Sequence, residues 1–123
     1  MSSLTPVELC VTLPWPHKDL SPNARVHWRR KAPRVKVARN AALALAFEAG
    51  ARKMTVSAAP RISIEFCPPD RRRRDADNCM ASLKASLDGI ADALGVDDSR
   101  FISTYSMGAP VRGGAVLVTV RAA

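Results

Sequence analysis

RISIEFCPPDRRRRDADNCMASLKASLDGIADALG, residues 61 to 95, holds both of the periodicities from which a fold is built. Arg61 to Cys67 alternates Ile62, Ile64 and Phe66 with polar partners, the two-residue period of a half-buried strand, and Pro68 and Pro69 end it. Asn78 to Leu94 spaces Met80, Leu83, Leu87, Ile90 and Leu94 at three and four residues, the single stripe of an amphipathic helix, and Gly95 closes it. Upstream, VELCVTL (Val7 to Leu13) alternates and then meets Pro14 and Pro16, a strand ending in a stiff turn. An Ala-rich stretch from about Val26 to Ala51 follows, with Val35, Ala38, Ala42, Leu45 and Ala49 on one helical face. Pro33 is expected in its first turn, where the missing N–H costs nothing. Downstream, RFISTYSM (Arg100 to Met107) and AVLVTV (Ala115 to Val120) are strands, and Gly108, Pro110, Gly113 and Gly114 suit a hairpin between them.

The expected architecture is therefore α+β, in the order β-α-β-α-β-β, a mixed sheet packed on two helices. With 123 residues and no dividing linker or internal repeat, residues 1–123 are expected to form one domain. No apolar run nears the ~20 residues of a membrane helix, and MSSLTPVELCVTLPWP lacks the pattern of a secretion signal, so a soluble cytoplasmic protein is expected. Cys10, Cys67 and Cys79 lie in separate segments without a CxxC, which fits neither a disulfide framework nor a zinc site; each is expected to be a small buried side chain.

Charge narrows the function. Nineteen Lys and Arg stand against eleven Asp and Glu, a formal +8, and fourteen of the cations are Arg, whose planar fork grips phosphate. A nucleic-acid partner is expected. Arg25, Arg29, Arg30, Lys31, Arg34, Lys36 and Arg39 form a stretch without an acid, and Arg71, Arg72, Arg73 and Arg74 form a second block. Eight of the eleven acids fall between Glu65 and Asp98, around that second block. Salt bridging on a solvated face is one explanation; a metal-dependent site acting on phosphate is the other.

Asp75 and Asp77 stand between strand and helix. In an extended segment, side chains two apart share a side, so both carboxylates could meet a hard cation such as Mg²⁺. Equally, Asp77 or Asn78 could simply cap the helix. At ~100° per residue, Asp77, Lys84 and Asp88 form a stripe beside the apolar seam, where Lys84 could stabilise charge on a phosphate or merely pair with Asp88. Asp97 and Asp98 could close a carboxylate cluster from the other side. Trp15 or Trp28 could stack on an exposed base, although packing is the commoner role; His27 is expected to be structural.

In order along the chain, LPWP, SPNARVHW, PPDRRRRDADN, LKASLD and GVDDSRF resemble the RusA family of Holliday junction resolvases, small endodeoxyribonucleases often carried by prophages. The resemblance implies a Mg²⁺-dependent enzyme, with Mn²⁺ able to substitute, that resolves four-way junctions and other branched DNA in recombination and repair. It implies that Asp75, Asp77 and Asp98 hold the metal and that Lys84 is the catalytic lysine. It also implies a homodimer, in keeping with the two-fold symmetry of a junction. One departure is visible: the family lysine stands one turn after the second aspartate, where this chain has Ala81, and Lys84 is two turns on. The competing reading is a non-catalytic basic nucleic-acid-binding domain.

Overall fold

The computed structural model describes residues 8–57 and 59–121; Val7, expected to begin the first strand, lies outside them. Six main elements follow in order: β1 (Glu8–Pro14), α1 (Trp28–Ala49), β2 (Arg61–Cys67), α2 (Ala76–Leu94), β3 (Ile102–Met107) and β4 (Ala115–Arg121). Short 3-10 turns at Lys18–Leu20, Ala51–Lys53 and Asp98–Arg100 join them. The protein is a small α+β domain in which the two helices cover one face of a mixed four-stranded sheet.

The sheet order is β1-β4-β2-β3, so β3 and β4 are not a hairpin. β4 runs antiparallel between β1 and β2, and β3 lies parallel to β2 at the edge. Burial explains the choice. Register places Leu9, Val120 and Ile62 in one cross-strand row, Val11, Val118 and Ile64 in the next, and Leu13, Val116 and Phe66 in the third. All nine side chains are buried, each worth ~1.5–3 kcal/mol removed from water, so the Val-rich β4 belongs in the middle. β3 offers Ser103, Tyr105 and Met107 beside Ile62, Ile64 and Phe66, and all six of its residues are exposed. Gly113 and Gly114, with φ of 77° and 74°, reverse the chain, but the reversal carries it past β2.

α2 buries seven residues, with Met80 and Leu94 packed at the margin of the core. α1 buries only Ala42 and Ala46; Val35 and Ala49, expected on its inner face, are exposed. The two helices cross at Gly89, where a Cβ would stand 2.2 Å from the Arg39 carbonyl oxygen, so only glycine fits. α1 begins before Pro33, which lies inside the helix rather than in its first turn. The start is set instead by His27, whose Nδ1 accepts the Arg29 N–H at 3.1 Å. Cys67 and Cys79 are buried as expected, but Cys10 points to the uncovered face of β1 and is exposed. Among the described residues, no helix is long and apolar enough to cross a membrane.

Candidate functional site

The link from β2 to α2 is folded by its own charges. Asp70 accepts the Arg72 N–H and an Arg74 guanidinium N–H, each at 2.9 Å, and Arg74 also reaches the carbonyl oxygens of Asp70 and Arg72 at 3.3 and 3.1 Å. The Arg74 bond first, then the Arg72 N–H, holds the Asp70 carboxyl down to about 2. Half of the arginine block therefore builds the turn, while Arg71 and Arg73 are exposed and have no ion pair among the described residues.

Asp75 is the N-cap of α2, neither Asp77 nor Asn78. Its Oδ1 accepts the Asp77 and Asn78 N–H groups at 2.8 and 3.3 Å. The helix thus begins two residues earlier than the apolar stripe, and Asp77 sits in its first turn. The extended geometry that would aim Asp75 and Asp77 alike is absent, because only Asp75 has extended backbone. Asp77 Oδ1 instead meets the Tyr105 hydroxyl from β3 at 3.4 Å, a contact across layers that no sequence spacing announces.

Two turns along α2, Lys84 Nζ donates to Asp88 Oδ1 at 2.8 Å and to Asp98 Oδ2 at 2.5 Å. Asp98 arrives on the Asp98–Arg100 turn, whose cap is Asp97, accepting the Ser99 N–H at 3.0 Å. Of the neighbouring acids it is therefore Asp98 that reaches α2. Asp88 and then Asp98 push the Lys84 ammonium above its ordinary value. Lys84 first, then the hydrogen bond with Asp88, holds the Asp98 carboxyl low. Arg39 of α1 forks onto Asp92 at 2.6 and 2.9 Å, and these groups line an open cavity of about 350 Å³. Asp75 and Asp77 make no hydrogen bond to this cluster, and among the described residues no three His, Cys, Asp or Glu side chains are grouped to hold a metal ion.

The first half of α1 stands clear of the core and carries its cations outward. Arg29, Arg34 and Lys36 are exposed, as is Arg25 just before the helix, and Lys31 is half-buried. Arg30 is committed to Asp19, a buried carboxylate, at 3.2 Å. Asp19 also shapes its own turn, where His17 Nδ1 accepts the Asp19 N–H at 3.0 Å. Both histidines thus serve as caps, a structural role for His27 whose partner the sequence did not indicate.

Fold and surface together define a small α+β domain with one cationic helix and one acid-flanked helix. An "Uncharacterized protein" of Xylella fastidiosa (strain Temecula1) is 48% identical over 113 residues, spanning 89% of this chain and 74% of that protein, and the chain belongs to its family. No protein-family model matches the chain.

Proposed function

We propose that this protein is a RusA-type endodeoxyribonuclease that cuts branched DNA, four-way junctions above all, with a divalent metal ion and as a homodimer. The observation that carries the reading is the Lys84 ammonium gripped by Asp88 and Asp98 on the open flank of a helix capped by Asp75, in a chain of formal charge +8. Arg25, Arg29, Arg34 and Lys36, with Arg71 and Arg73, draw in the phosphates of the junction arms without reading sequence. Water attacks a phosphorus in line, the bond to the 3′ oxygen breaks, and a 5′-phosphate and a 3′-hydroxyl remain. Lys84 offsets the negative charge that grows on the phosphoryl oxygens.

Mg²⁺, or Mn²⁺ in its place, supplies charge neutralisation and a low-pKa water when bound. The donor chemistry of Asp75, Asp77 and Asp98 suits a hard cation. Their arrangement does not form a cage: Asp75 caps its helix, Asp77 faces Tyr105 and Asp98 is held by Lys84. That same pairing favours the second reading, a basic nucleic-acid-binding domain without catalysis, since Asp19, Asp70, Asp92 and Asp98 each already hold a cation.

Cleavage of a synthetic four-way junction in Mg²⁺ by wild type and by Asp75→Asn separates the two. Asparagine caps a helix about as well as aspartate, so the variant keeps its stability while losing a carboxylate. The nuclease reading expects paired nicks from the wild type and cutting slower by about a hundredfold or more from the variant, with binding retained. Binding without cutting by either protein leaves the binding domain as the answer.

The homodimer rests on β3. Ile102, Tyr105 and Met107 are 51, 45 and 44% exposed on an edge strand with no charge, no proline and β-favouring residues, the sort of edge that proteins otherwise guard. Copies of a chain at +8 repel over most of their surface, and this uncharged strand is where two can pair about a two-fold axis. Sedimentation should give twice the chain mass for wild type and the single-chain mass for Ile102→Lys; a wild-type monomer at high concentration removes this part of the proposal.

A further inference from the structure

A second cavity, of about 330 Å³, opens between the Pro14–Pro16 turn and the start of α2, and the core residues Phe66 and Cys79 reach its floor. Its walls include Trp15, His17, Lys18, Arg72, Asn78 and Ser82. Trp15 is held firmly. Its ring meets the fully buried Phe66 edge to face, with centroids 6.2 Å apart at 79°, and the Arg74 guanidinium lies 5.4 Å from its centroid. Gly114 keeps the opposite strand entry close, since a Cβ there would stand 2.8 Å from Trp15 Cβ. Arg74 in turn is fixed by Asp70, with its side chain only 15% exposed. The result is a half-buried aromatic platform on a short turn, ringed by two exposed cationic ends, Lys18 and Arg72, the second also reaching Asp70 at 3.3 Å, and by the Asn78 amide.

We propose that this cavity seats one unpaired nucleotide, its base against Trp15 and its phosphate toward Arg72 and Lys18. Each wall component has a use in that arrangement. An indole accepts any base face, an exposed guanidinium and an ammonium suit a phosphodiester, and the Asn78 amide can both donate to and accept from a base edge. A paired base inside a duplex cannot present its face to the indole, so the seat selects strands that are open, as at a crossover, a fork or a flap. Asp75 lines the same cavity, which would set the neighbouring phosphate beside the start of α2. The inference rests on the reading of the protein as acting on branched DNA, but it is a claim about binding and stands or falls separately from cleavage.

Trp28→Phe leaves Trp15 as the sole tryptophan and makes its fluorescence the readout, in EDTA so that no metal-dependent reaction intervenes. Single-stranded dT8 should quench it saturably, whereas a blunt duplex of equal phosphate content should bind and leave it largely unchanged. Trp15→Ala should weaken dT8 binding about ten- to a hundredfold relative to duplex binding. Arg72→Gln, at a side chain that is 81% exposed, tests the phosphate end without risk to the core and should weaken dT8 several-fold. Equal quenching by duplex and dT8, or quenching seen only when Trp28 is the remaining tryptophan, overturns the seat. Quenching that persists in a protein unable to cut junctions would overturn the nuclease and keep the seat; cutting without quenching would do the reverse.

Discussion

Two charge clusters flank α2, and they are built as opposites. Before the helix one acid, Asp70, is enclosed by two arginines from its own turn. On the helix flank one cation, Lys84, is enclosed by two acids from different elements, Asp88 of α2 and Asp98 of the following turn. The first cluster is local, spans the five residues Asp70 to Arg74, and leaves an excess of positive charge with Arg71 and Arg73 free to meet phosphate. The second joins chain segments fourteen residues apart and leaves an excess of carboxylate oxygen. The difference teaches where each kind of ligand could be received: an anion ahead of the helix, a cation along its flank. It also shows that the second cluster depends on how α2 is seated, and the first does not.

The largest effect that separates them is expected at Gly89, next to Asp88. A Cβ there would collide with the Arg39 carbonyl oxygen of α1, a backbone atom that cannot swing aside, and would press on Ala42 Cβ at 3.0 Å. Gly89→Ala should therefore lift α2 from α1 and destabilise the fold by about 1–3 kcal/mol despite the better helix propensity of alanine, read as a lower urea midpoint. Because Arg39 also holds Asp92, the ion pairs on the α2 flank should loosen with it, while the Asp70 turn keeps its hydrogen bonds. Amide exchange resolves the two: faster exchange around Asp88 to Asp98 with unchanged protection at Arg72 is the expected pattern. Unchanged stability would mean that the crossing is not close.

Much of this arrangement could be read from residue order. The alternation in β2 and β4, the stripe on α2 and its Gly95 stop all correspond to elements in the structure, because side-chain period is a local property. Strand pairing is not local. The glycines between β3 and β4 suggested a hairpin, yet the buried valines of β4 draw it between β1 and β2, and that competition is decided by the whole core. The same limit applies to the site. The i, i+4 pair of Lys84 and Asp88 follows from helical geometry, and the choice of Asp98 over Asp97 needed the turn that follows Gly95. Asp77 is helical rather than extended beside Asp75, because the cap at Asp75 starts the helix before its apolar stripe. Nothing in the residue order marks Tyr105, since an edge strand and a helix start meet only in three dimensions.

The smallest expected effect is the response to pH, and it should differ in sign between the clusters. Asp70 titrates near 2 in the fold against 3.8 for a free side chain. A lowered acid stabilises above 3.8, and the contribution fades as pH falls from there to about 2. Lys84 is raised above 10.5, so its contribution is complete below 10.5 and is lost as pH rises through the folded value. The flank cluster also has an acid limb, because Asp98 is lowered from 3.8 by Lys84. Urea midpoints of wild type, Asp70→Asn and Lys84→Met across the pH range should then separate two patterns. The difference between wild type and Asp70→Asn should disappear only in acid. The difference between wild type and Lys84→Met should shrink in acid and vanish again in alkali. These groups are largely exposed, so each difference should be small and should diminish further in high salt. A gap for Asp70→Asn that survives below pH ~2 would mean that the turn is held by shape rather than by the carboxylate's charge.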